Sequence, residues 1–530
     1  MTHPILSILA PELVLVIAAV IVLLLGLSRS GVVRGAAGNL AVLATAVALY
    51  LVWSGRGAPA AWTASLQADA LAWYARLITL ATGLIILLVN QHVPADEERG
   101  EFFSLTLFSL AGLMLAAVAD DLILLFLALE LVSIPTYVLI AISRNHAGAH
   151  ESAVKYFFLG SFAAALMLYG ISFLYGVAGT TSMFHAADGG ATLATSLPAA
   201  VSDPVALIGL LLVIAGLAFK MAVVPFHFYV ADVYQGAASP VTGMLGFLPK
   251  FAGLVALVRL LSLAGWTMTP ALFWLFWGLA AATMTVGNLL ALMQNNAKRM
   301  LAYSSIAHSG YMLVALLAGP GLAGAAGDGP TRNGVTAALF YMAVYGLMNL
   351  GAFAALSYIR RADTGESIED VDDLSGAATR HPAATLALAV CLLSLMGFPP
   401  TAGFLGKFYV FSSAFAAAGS SPHGAALIAL VILAFVNTAV AAAYYLRLVA
   451  TCYLRPEPAP TTATPCAALR VGLGLCAVAM LLLFALPGVL TRAAGPAGAV
   501  VRGTHQIEQL ADDAGDPARA AAAPTGLRRE

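Results

Sequence analysis

The sequence predicts an all-α polytopic membrane protein of about fourteen transmembrane helices, with two inverted five-helix repeats that each contain a discontinuous helix. Three observations predict this fold class: the composition, the long apolar segments and the position of proline within two of them. Hydrophobic residues make up 61% of the 530 residues and charged residues only 10%, and the mean hydropathy is +0.91. A soluble domain carries about 25% charged residues. A chain this apolar cannot cover a water-facing surface, so it must face lipid.

The apolar segments are continuous and lack the alternation of apolar and polar residues that marks the strands of a membrane barrel. In lipid every backbone polar group must be satisfied internally, so these segments are expected to be helices. Segments of about 18 residues or more are long enough to span a bilayer. They predict fourteen spans, at about 10–28, 36–54, 70–91, 102–119, 121–143, 153–178, 205–236, 240–263, 270–293, 300–319, 333–359, 383–416, 424–450 and 468–490.

The seventh and twelfth spans are too long for one straight crossing, and each has proline near its middle. Pro225 lies in the first, and Pro399 and Pro400 lie in the second. Because proline removes an amide donor and clashes with the preceding turn, both spans are expected to be discontinuous helices. The two interruptions are five spans apart, an odd offset that reverses their direction. This predicts inverted repeats made of spans four to eight and nine to thirteen.

The predicted spans divide the chain into five regions. The N-terminal apolar run has no preceding Lys or Arg and no small-residue cleavage motif, so we expect a first span and not a removed signal peptide. The tail is rich in Ala, Gly and charge and is expected to be disordered. The regions are three N-terminal helices (1–100), a first repeat (101–265), a second repeat (266–455), a C-terminal helix (456–492) and the tail (493–530).

Basic residues are unequally divided between the two sides of the predicted bundle. Cytoplasmic loops carry an excess of Lys and Arg, so the side that holds most of them is expected to be cytoplasmic, and both termini are expected on the outer side. The even-numbered connections hold only Arg56 and Arg332. The odd-numbered connections hold Arg29, Arg34, Arg99, Arg144, Lys155, Lys298, Arg299, Arg360, Arg361, Arg380, Arg455 and Arg470.

Several classes of function are disfavoured. The net charge is −1, no basic patch is interleaved with aromatic residues, and no Gly-rich phosphate loop follows a strand pattern, which argues against nucleic-acid binding. The four cysteines show no CxxC spacing, which argues against iron–sulfur, zinc or disulfide sites. Any redox cofactor is therefore expected on another chain.

Lysine is scarce, and three of its five positions lie inside predicted spans. Of the 25 basic residues, five are lysine and twenty are arginine. Lys220 lies just before the first interruption and Lys407 just after the second. Lys250 lies ~15 Å along the eighth span at 1.5 Å per residue. A GC-rich genome would explain arginine in the loops, but it does not explain lysine at depth.

The chemistry of lysine supplies a reason. A charged side chain at a helix centre costs roughly 2.5–3.5 kcal/mol. Arginine stays protonated in proteins, whereas a buried lysine can lose its proton. A group that loads and releases protons can thus be lysine but not arginine, which favours proton transfer by Lys220, Lys250 and Lys407. For Lys155 and Lys298, near span ends, proton transfer and snorkelling to the interface fit equally.

Glu130 is the acidic counterpart and lies ~14 Å into the fifth span. A lone carboxylate there should be neutral or paired with a cation. A pair between Glu130 and Lys220 would act as a switch, because pairing favours the charged lysine and separation favours release of its proton. The alternative is a structural ion pair between helices.

Two histidines and one acidic segment are weaker signals. His227 follows the first interruption in PFHFYVADVYQ, and His308 lies in the tenth span in YSSIAHSGY. Histidine titrates near neutrality and suits a proton relay, but a hydrogen-bonded packing histidine is as common. The segment DTGESIEDVDDLSG (363–376) is expected to be a solvated cytoplasmic loop.

Three longer strings carry a family resemblance. FKMAVVPFHFYVADVYQGAASPVTGMLGFLPK, NNAKRMLAYSSIAHSGYML and MGFPPTAGFLGKFYVF resemble the antiporter-like membrane subunits of respiratory complex I, which are related to subunits of multi-subunit cation/proton antiporters. The resemblance covers about residues 100–455. It is greatest to the subunit N family, since subunit M typically has glutamate where Lys407 stands and subunit L carries a long lateral helix and two extra spans.

The resemblance implies a proton-translocating subunit of an NADH–quinone oxidoreductase in a bacterial inner membrane, beside other complex I membrane subunits. Glu130, Lys220, Lys250 and Lys407 match the family's proton-carrying positions, and His308, Lys298 and Lys155 match positions of less certain role. NADH, FMN, iron–sulfur clusters and quinone are expected on partner subunits, with no cofactor in this chain. The alternatives are a sodium/proton antiporter subunit, which would use the same lysines, and a membrane scaffold without transport. A standalone solute permease would instead need a polar substrate pocket at the interruptions.

Overall fold

The computed structural model describes residues 4–499 except for 58–60, 64, 187–189, 201–202, 264, 267, 321–328, 363–364, 366 and 457–459. These residues form an almost entirely helical bundle. Its first half contains α1 (Pro4–Ile8), α2 (Ala10–Gly26), α3 (Gly31–Ser54), α4 (Ala70–Val89), α5 (Arg99–Val118), α6 (Leu122–Ile142), α7 (Ala147–Ala178), α8 (Leu193–Ala200), α9 (Pro204–Lys220), α10 (Val230–Gly236) and α11 (Ser239–Leu263).

The second half continues the bundle with helices of similar length. It contains α12 (Pro270–Leu292), α13 (Ala297–Ala318), α14 (Gly334–Tyr358), α15 (Ala377–Arg380), α16 (Pro382–Met396), α17 (Ala402–Ala418), α18 (Gly424–Leu454) and α19 (Ala467–Ala485), followed by α20 over 488–499. Short 3-10 turns lie at Asp96–Glu98 and Asp372–Leu374. The described residues also form two short antiparallel strand pairs, β1 (Ala61–Thr63) with β2 (Leu66–Ala68) and β3 (Ile359–Arg361) with β4 (Thr461–Ala463).

Eleven helices of the described residues are long and apolar enough to cross a membrane by length and composition. Four shorter apolar helices accompany them, namely α2, α9, α16 and α17. Their surface-facing side chains include exposed Leu24, Phe162 and Phe435. Large exposed apolar side chains spread over a whole bundle are what lipid contact requires. The chain is therefore a multi-pass membrane protein.

Both predicted interruptions are present in the described helices. The first separates α9 from α10 and contains Pro225, and the second separates α16 from α17 and contains Pro399 and Pro400. Gly397 ends α16 with a φ of 85°, a left-handed conformation that favours glycine. A Cβ at Gly397 would lie 2.9 Å from Cδ of Lys407. The absence of a side chain at Gly397 thus leaves room for Lys407 beside the broken helix.

The centre of the bundle is formed by α11, α13 and α14. Every residue of α11 is buried, as are nearly all residues of α13 and α14. In contrast, about a third of the most apolar stretch of α18 and of α19 is buried. A helix that is buried on all sides and still carries charged residues must hold them against other protein groups. Lys250 lies on α11, and Lys298 and His308 lie on α13, so all three are within this centre.

Two regions differ from the sequence-based expectation. The predicted disordered tail begins at 493, but α20 continues to residue 499, with Ala494 and Ala497 fully buried. Small side chains there allow close packing, and Gly498 lies directly against Thr336 at the start of α14. The remainder of the predicted tail, from residue 500, lies outside the described residues.

The acidic segment before the twelfth span also differs from a freely solvated loop. The backbone of Glu369 accepts a hydrogen bond from Ala297 N at 2.7 Å, and Val371 N donates to Asn295 O at 2.9 Å. These bonds attach the segment to the start of α13, so part of it is fixed against the bundle. The parts at 363–364 and 366 lie outside the described residues.

The contact between α5 and α6 predicts a sharp effect of one methyl group. A Cβ on Gly112 of α5 would lie 2.8 Å from the backbone atoms Leu131 C and Val132 N of α6. Because backbone cannot move aside cheaply, we expect Gly112→Ala to destabilise the protein by about 1–3 kcal/mol. Gly176→Ala is the matched control, since no atom lies within 4 Å of a Cβ there. Thermal unfolding of the purified protein should show a lower Tm only for the Gly112 variant, and equal Tm values for both would contradict this packing.

Candidate functional site

The buried ion pair between Glu130 and Lys220 lies at the first interruption. Lys220 is the last residue of α9 and is 3% exposed. Its Nζ donates to Glu130 Oε1 at 2.8 Å and to Ser133 Oγ at 2.6 Å. Glu130 and Ser133 lie one turn apart on α6, so both face the same ammonium group. The predicted contact between Glu130 and Lys220 is therefore present.

Lys250 lies in the middle of the bundle and is held by groups that carry no charge. Its Nζ donates to the carbonyl oxygen and the hydroxyl of Ser305, the latter at 2.6 Å, and to Ser309 Oγ at 3.0 Å. Tyr345 adds its ring face at 5.8 Å from Nζ to the ring centroid, and Tyr345 Oη donates to Ser305 Oγ at 2.8 Å. Within the described residues no carboxylate lies within ion-pair distance of Lys250.

His308 lies between two tyrosine hydroxyls. Nδ1 is 2.5 Å from Tyr341 Oη and Nε2 is 3.1 Å from Tyr445 Oη. Tyr445 Oη is also hydrogen-bonded to Ser304 Oγ. An imidazole with a hydroxyl on each nitrogen can accept a proton on one side while it donates one on the other. His308 thus lies in a series of hydrogen bonds that runs from Ser304 through Tyr445 and His308 to Tyr341.

Lys407 occupies the second interruption and is 4% exposed. Its Nζ donates to Met396 O, the last residue of α16, at 2.9 Å. The ring of Tyr311 lies 4.9 Å from Nζ, and a negatively polarised ring face stabilises a nearby cation. As for Lys250, no carboxylate of the described chain lies within ion-pair distance.

The helix α13 brings these groups into one series. Ser309, a partner of Lys250, donates to Met221 O at 2.5 Å, and Met221 follows Lys220 in the chain. His308 precedes Ser309 on the same helix. Tyr341, the partner of His308, packs against Gly406, which precedes Lys407. The described contacts therefore run from Lys220 through α13 to the second interruption, although no single hydrogen-bonded chain joins all of the lysines.

Lys298 is completely buried at the start of α13. Its Nζ donates to Gln235 O and to Ala237 O, each at 2.6 Å. Glu369 Oε1 lies 3.7 Å away. This arrangement differs from an interfacial lysine that snorkels, because a snorkelling ammonium group reaches water.

Lys155 and His227 lie outside the series. Lys155 is 43% exposed and pairs with Glu151 at 2.7 Å and with Asp232 at 3.0 Å. His227 is buried beside Phe228, with ring centroids 4.9 Å apart. Among the described residues, His227 Nδ1 has no hydrogen-bond partner. The contacts of Lys155 are thus those of a surface ion-pair network, and His227 shares no hydrogen bond with the buried lysines.

Two buried arginines were missed at the level of sequence. Arg259 Nη1 and Nη2 contact Asp69 Oδ2 and Oδ1 at 2.6 and 2.8 Å, and both residues are nearly inaccessible. Arg76 Nε donates to Glu12 Oε1 at 2.7 Å, also in a buried position. The available signal was that both arginines lie inside predicted spans. A guanidinium group in that place requires a carboxylate partner, and each arginine has one.

Within the described residues, no group of three or more His, Cys, Asp or Glu side chains is arranged to hold a metal ion. The four cysteines are present as free thiols. The polar groups around α13 are instead lysines, hydroxyls and the imidazole of His308, groups that can exchange protons.

Comparison with known proteins agrees with this arrangement. Residues 119–435 match the family described as "NADH:quinone oxidoreductase/Mrp antiporter, TM". NADH-quinone oxidoreductase subunit N of Trichlorobacter lovleyi is 38% identical over 454 residues, which cover 85% of this chain and 88% of the relative.

The chain belongs to the subunit N family of NADH-quinone oxidoreductases.

One further relative and one solved structure are also similar to this chain. F(420)H(2) dehydrogenase subunit N of Methanosarcina mazei is 35% identical over 469 residues, covering 86% of this chain and 90% of that one. A chain of respiratory complex I from Thermus thermophilus with bound Aureothin matches the fold with a TM-score of 0.74 and 32% identity, over 92% of this chain and 99% of that chain. The name of the Methanosarcina mazei relative states an F(420)H(2) dehydrogenase, whereas that of the Trichlorobacter lovleyi relative states an NADH-quinone oxidoreductase.

The buried arginines have carboxylate partners and Lys250 has none among the described residues, so we expect their replacement to change stability by different amounts. Arg259→Met leaves the buried Asp69 carboxylate without its cationic partner, so we expect a loss of roughly 3–5 kcal/mol. Lys250→Met removes an ammonium group with no carboxylate partner, so we expect a much smaller loss or a gain. Thermal unfolding of the purified protein compares them, with Arg455→Met as a control for an exposed pair worth about 0–1 kcal/mol. A loss from Lys250→Met as large as that from Arg259→Met would contradict the contrast.

Proposed function

We propose that this chain is the proton-translocating membrane subunit of an NADH:quinone oxidoreductase. Electron transfer from NADH to quinone on partner subunits would drive protons through Glu130, Lys220, Lys250 and Lys407. The observation that carries the proposal is the counterion pattern of the buried cations, together with membership of the subunit N family. Arg76 and Arg259 are permanent cations, and each is fixed to a carboxylate.

The buried lysines have a different pattern. Lys250 and Lys407 are held by carbonyls, hydroxyls and ring faces, groups that accept hydrogen bonds without fixing a charge. An ammonium group in such a place is expensive to keep charged, and a neutral amine can be accommodated. Lysine is the basic residue that can change between these forms. The pattern therefore supports loading and release of a proton at each site.

Of Lys220, Lys250 and Lys407, Lys220 is the one that pairs with a carboxylate of the described residues, and this fits a switch. While Glu130 Oε1 lies 2.8 Å from Nζ, the pair stabilises the protonated lysine. If Glu130 moves away, the ammonium group loses that stabilisation and its proton passes to a neighbouring acceptor. The N–H bond of Lys220 breaks, an N–H or O–H bond forms on the acceptor, and Lys220 stays as a neutral amine. Ser133 Oγ, at 2.6 Å from Nζ, remains to hold that amine.

The histidines and the remaining lysines are assigned different parts. His308, between Tyr341 and Tyr445, relays protons between Lys250 and Lys407. Lys298 takes up protons at the start of α13. Lys155 organises the exposed ion pairs around Asp232, and His227 acts at the first interruption, where its Nδ1 is free to accept a proton.

The fold that we propose for this activity has fourteen spans with two inverted repeats. The eleven long helices, α2 and the two discontinuous helices α9–α10 and α16–α17 account for that number. Helix contacts support the repeats. α5 packs on α6 as α12 packs on α13, α6 on α7 as α13 on α14, and α7 on α9 as α14 on α16. Likewise α11 contacts α5, α6 and α9, and α18 contacts α12, α13 and α16.

The regions and the orientation follow from this fold. The three N-terminal helices occupy 1–100, the repeats 101–265 and 266–455, and the C-terminal helix 456–492. The excess of Lys and Arg on one side supports a bacterial inner membrane protein with both termini on the periplasmic side. The partners are other complex I membrane subunits and the surrounding lipid.

NADH, FMN, iron–sulfur clusters and quinone are assigned to partner subunits. The name of the relative from Methanosarcina mazei states a different electron donor for a membrane subunit that is 35% identical to this chain. A chain that can serve complexes with different donors does not need to hold the donor itself. The part of the mechanism that belongs to this chain is proton movement.

A sodium/proton antiporter subunit is the second candidate function. It is favoured by the family description, which names the Mrp antiporter beside the oxidoreductase. Purification of the native complex separates the two. Rapid NADH oxidation with quinone favours the first candidate, and sodium exchange without NADH oxidation favours the second. If the chain is a scaffold without transport, replacement of Lys220 or Lys250 should change neither proton pumping nor sodium exchange in an assembled complex.

The proposal predicts that lysine at 250 cannot be replaced by a permanent cation. We expect Lys250→Arg and Lys250→Ala to lower the number of protons pumped per NADH oxidised by the same share, because neither side chain can load and release a proton. The measurement is proton uptake by proteoliposomes that contain the whole assembled complex.

Lys220→Ala should also lower the yield, and Arg455→Gln, at an exposed pair, should leave it unchanged. The transport role is wrong if the assembled Lys220→Ala and Lys250→Ala complexes pump as the wild type does. Normal pumping by Lys250→Arg alone would mean that charge and not titration is required.

A further inference from the structure

A cavity of about 490 Å³ lies where the start of α7, the end of α10 and the acidic segment meet. It is open on one side and its lining is strongly charged. Its lining contains both carboxylates and basic side chains, groups that can exchange protons with water. The lining includes Arg144, Glu151, Lys155, Asp232, Glu369 and Asp370. The completely buried Lys298 lies just beyond this lining, 3.7 Å from Glu369.

Glu369 is held in place from both its backbone and its side chain. The backbone carbonyl accepts from Ala297 N at 2.7 Å, beside Lys298. The carboxylate accepts from Arg144 Nη1 at 2.7 Å, and the same oxygen lies 3.7 Å from Lys298 Nζ. Glu369 thus lies between Arg144, which lines the cavity, and Lys298, which does not.

The charge of Lys298 controls how readily Glu369 binds a proton. Burial raises the pKa of Glu369. The charge of Lys298 and the hydrogen bond from Arg144 lower this pKa, and their combined effect is larger than that of burial, so the pKa lies below its usual range. When Lys298 is neutral, that attraction is absent and the carboxylate binds a proton more readily. Glu369 therefore binds a proton most readily when Lys298 is neutral and able to receive one, as proton uptake requires.

We propose that this cavity is the cytoplasmic mouth through which protons are taken up, and that Glu369 is the carboxylate that passes them to Lys298. The proposal rests on the function and the orientation proposed above, and it adds a residue outside the predicted spans. Its basis is the geometry of Glu369, Arg144 and Lys298 at the edge of the cavity.

The transfer is balanced in two steps. A hydronium ion in the cavity gives a proton to the Glu369 carboxylate, so that one of its O–H bonds breaks, an O–H bond forms on Glu369 and a neutral water molecule remains. The neutral amine of Lys298 then takes this proton, so the O–H bond breaks and an N–H bond forms. Glu369 returns to a carboxylate that pairs with Arg144 and with the new ammonium group. The carbonyls of Gln235 and Ala237 stabilise that ammonium group inside the protein.

The half-helix α10 connects the mouth to the centre of the bundle. Gln235 lines the cavity and its carbonyl binds Lys298. The preceding residue, Tyr234, places its hydroxyl 3.3 Å from Ser305 Oγ. Ser305 in turn accepts from Lys250 Nζ at 2.6 Å. A single short element thus contacts both the lysine at the mouth and the hydroxyl that holds the central lysine.

The test compares variants of the whole complex in proteoliposomes, with protons pumped per NADH oxidised as the readout. Glu369→Gln keeps the size and an acceptor for Arg144 but cannot carry a proton. We expect it to lose the same share of pumping as Lys250→Ala. Glu369→Asp keeps a carboxylate and should retain most of the pumping. Asp372→Asn, in the same acidic segment but outside the cavity lining and paired with Arg455 at the surface, is the matched control and should pump as the wild type does.

The outcomes separate this proposal from the proposed function. Normal pumping by Glu369→Gln, while Lys250→Ala is impaired, overturns the role of Glu369 and leaves the proposed function standing. Normal pumping by Lys250→Ala overturns the proposed function itself. If the Glu369→Gln complex assembles poorly, Lys298→Met carries the test. It should show the same loss as Lys250→Ala, and wild-type pumping by Lys298→Met would overturn the proposal.

Discussion

Burial of lysine in an apolar bundle without a fixed counterion is the constraint around which the polar interior is arranged. Lys250 and Lys407 are almost inaccessible, and their partners are hydroxyls, carbonyls and ring faces. Such partners hold the side chain in one position but leave its charge free to change. The buried arginines, with their carboxylates, do the opposite. The same bundle therefore contains cations that are fixed to a carboxylate and lysines that are not, and we propose that the latter load and release protons.

The broken helices and the central helix α13 satisfy this constraint together. A helix interruption leaves backbone carbonyls without helical partners, and Met396 O at the second interruption accepts from Lys407. Met221 O at the first interruption accepts from Ser309. α13 supplies Ser305, Ser309 and His308 from one buried face, so that it reaches both interruptions. The unusual backbone thus provides acceptors at the depth where lysine needs them.

The sequence predicted a helical membrane protein with two interrupted helices and drew attention to the buried lysines, because both features leave strong local signals. Apolar segments with central proline predicted the discontinuous helices, and the scarcity of lysine drew attention to Lys220, Lys250 and Lys407. The contact of Glu130 with Lys220 followed from the cost of a lone buried carboxylate. The role of each residue in proton transfer stays a proposal.

Other features depend on contacts between distant segments, which composition and periodicity do not encode. Arg259 meets Asp69 across 190 positions of the chain, and Glu369 meets Arg144 across 225. The acidic segment was predicted to be a solvated loop because many charges in a short segment are typical of solvated loops. Its backbone is nevertheless hydrogen-bonded to the start of α13. The helical continuation at 493–499 was missed because alanine and glycine there pack by close approach and show no apolar periodicity.

The most direct test is to observe the lysines themselves. The chain has five lysines, so selective 15N labelling of its lysine side chains gives five Nζ signals in the assembled complex. Solid-state NMR distinguishes an ammonium from an amine, and single lysine variants assign each signal. The account predicts that the signals of Lys220, Lys250 and Lys407 change between the two forms when the resting complex is compared with one that oxidises NADH, while exposed Lys155 stays an ammonium. Five unchanged ammonium signals in both states would contradict it.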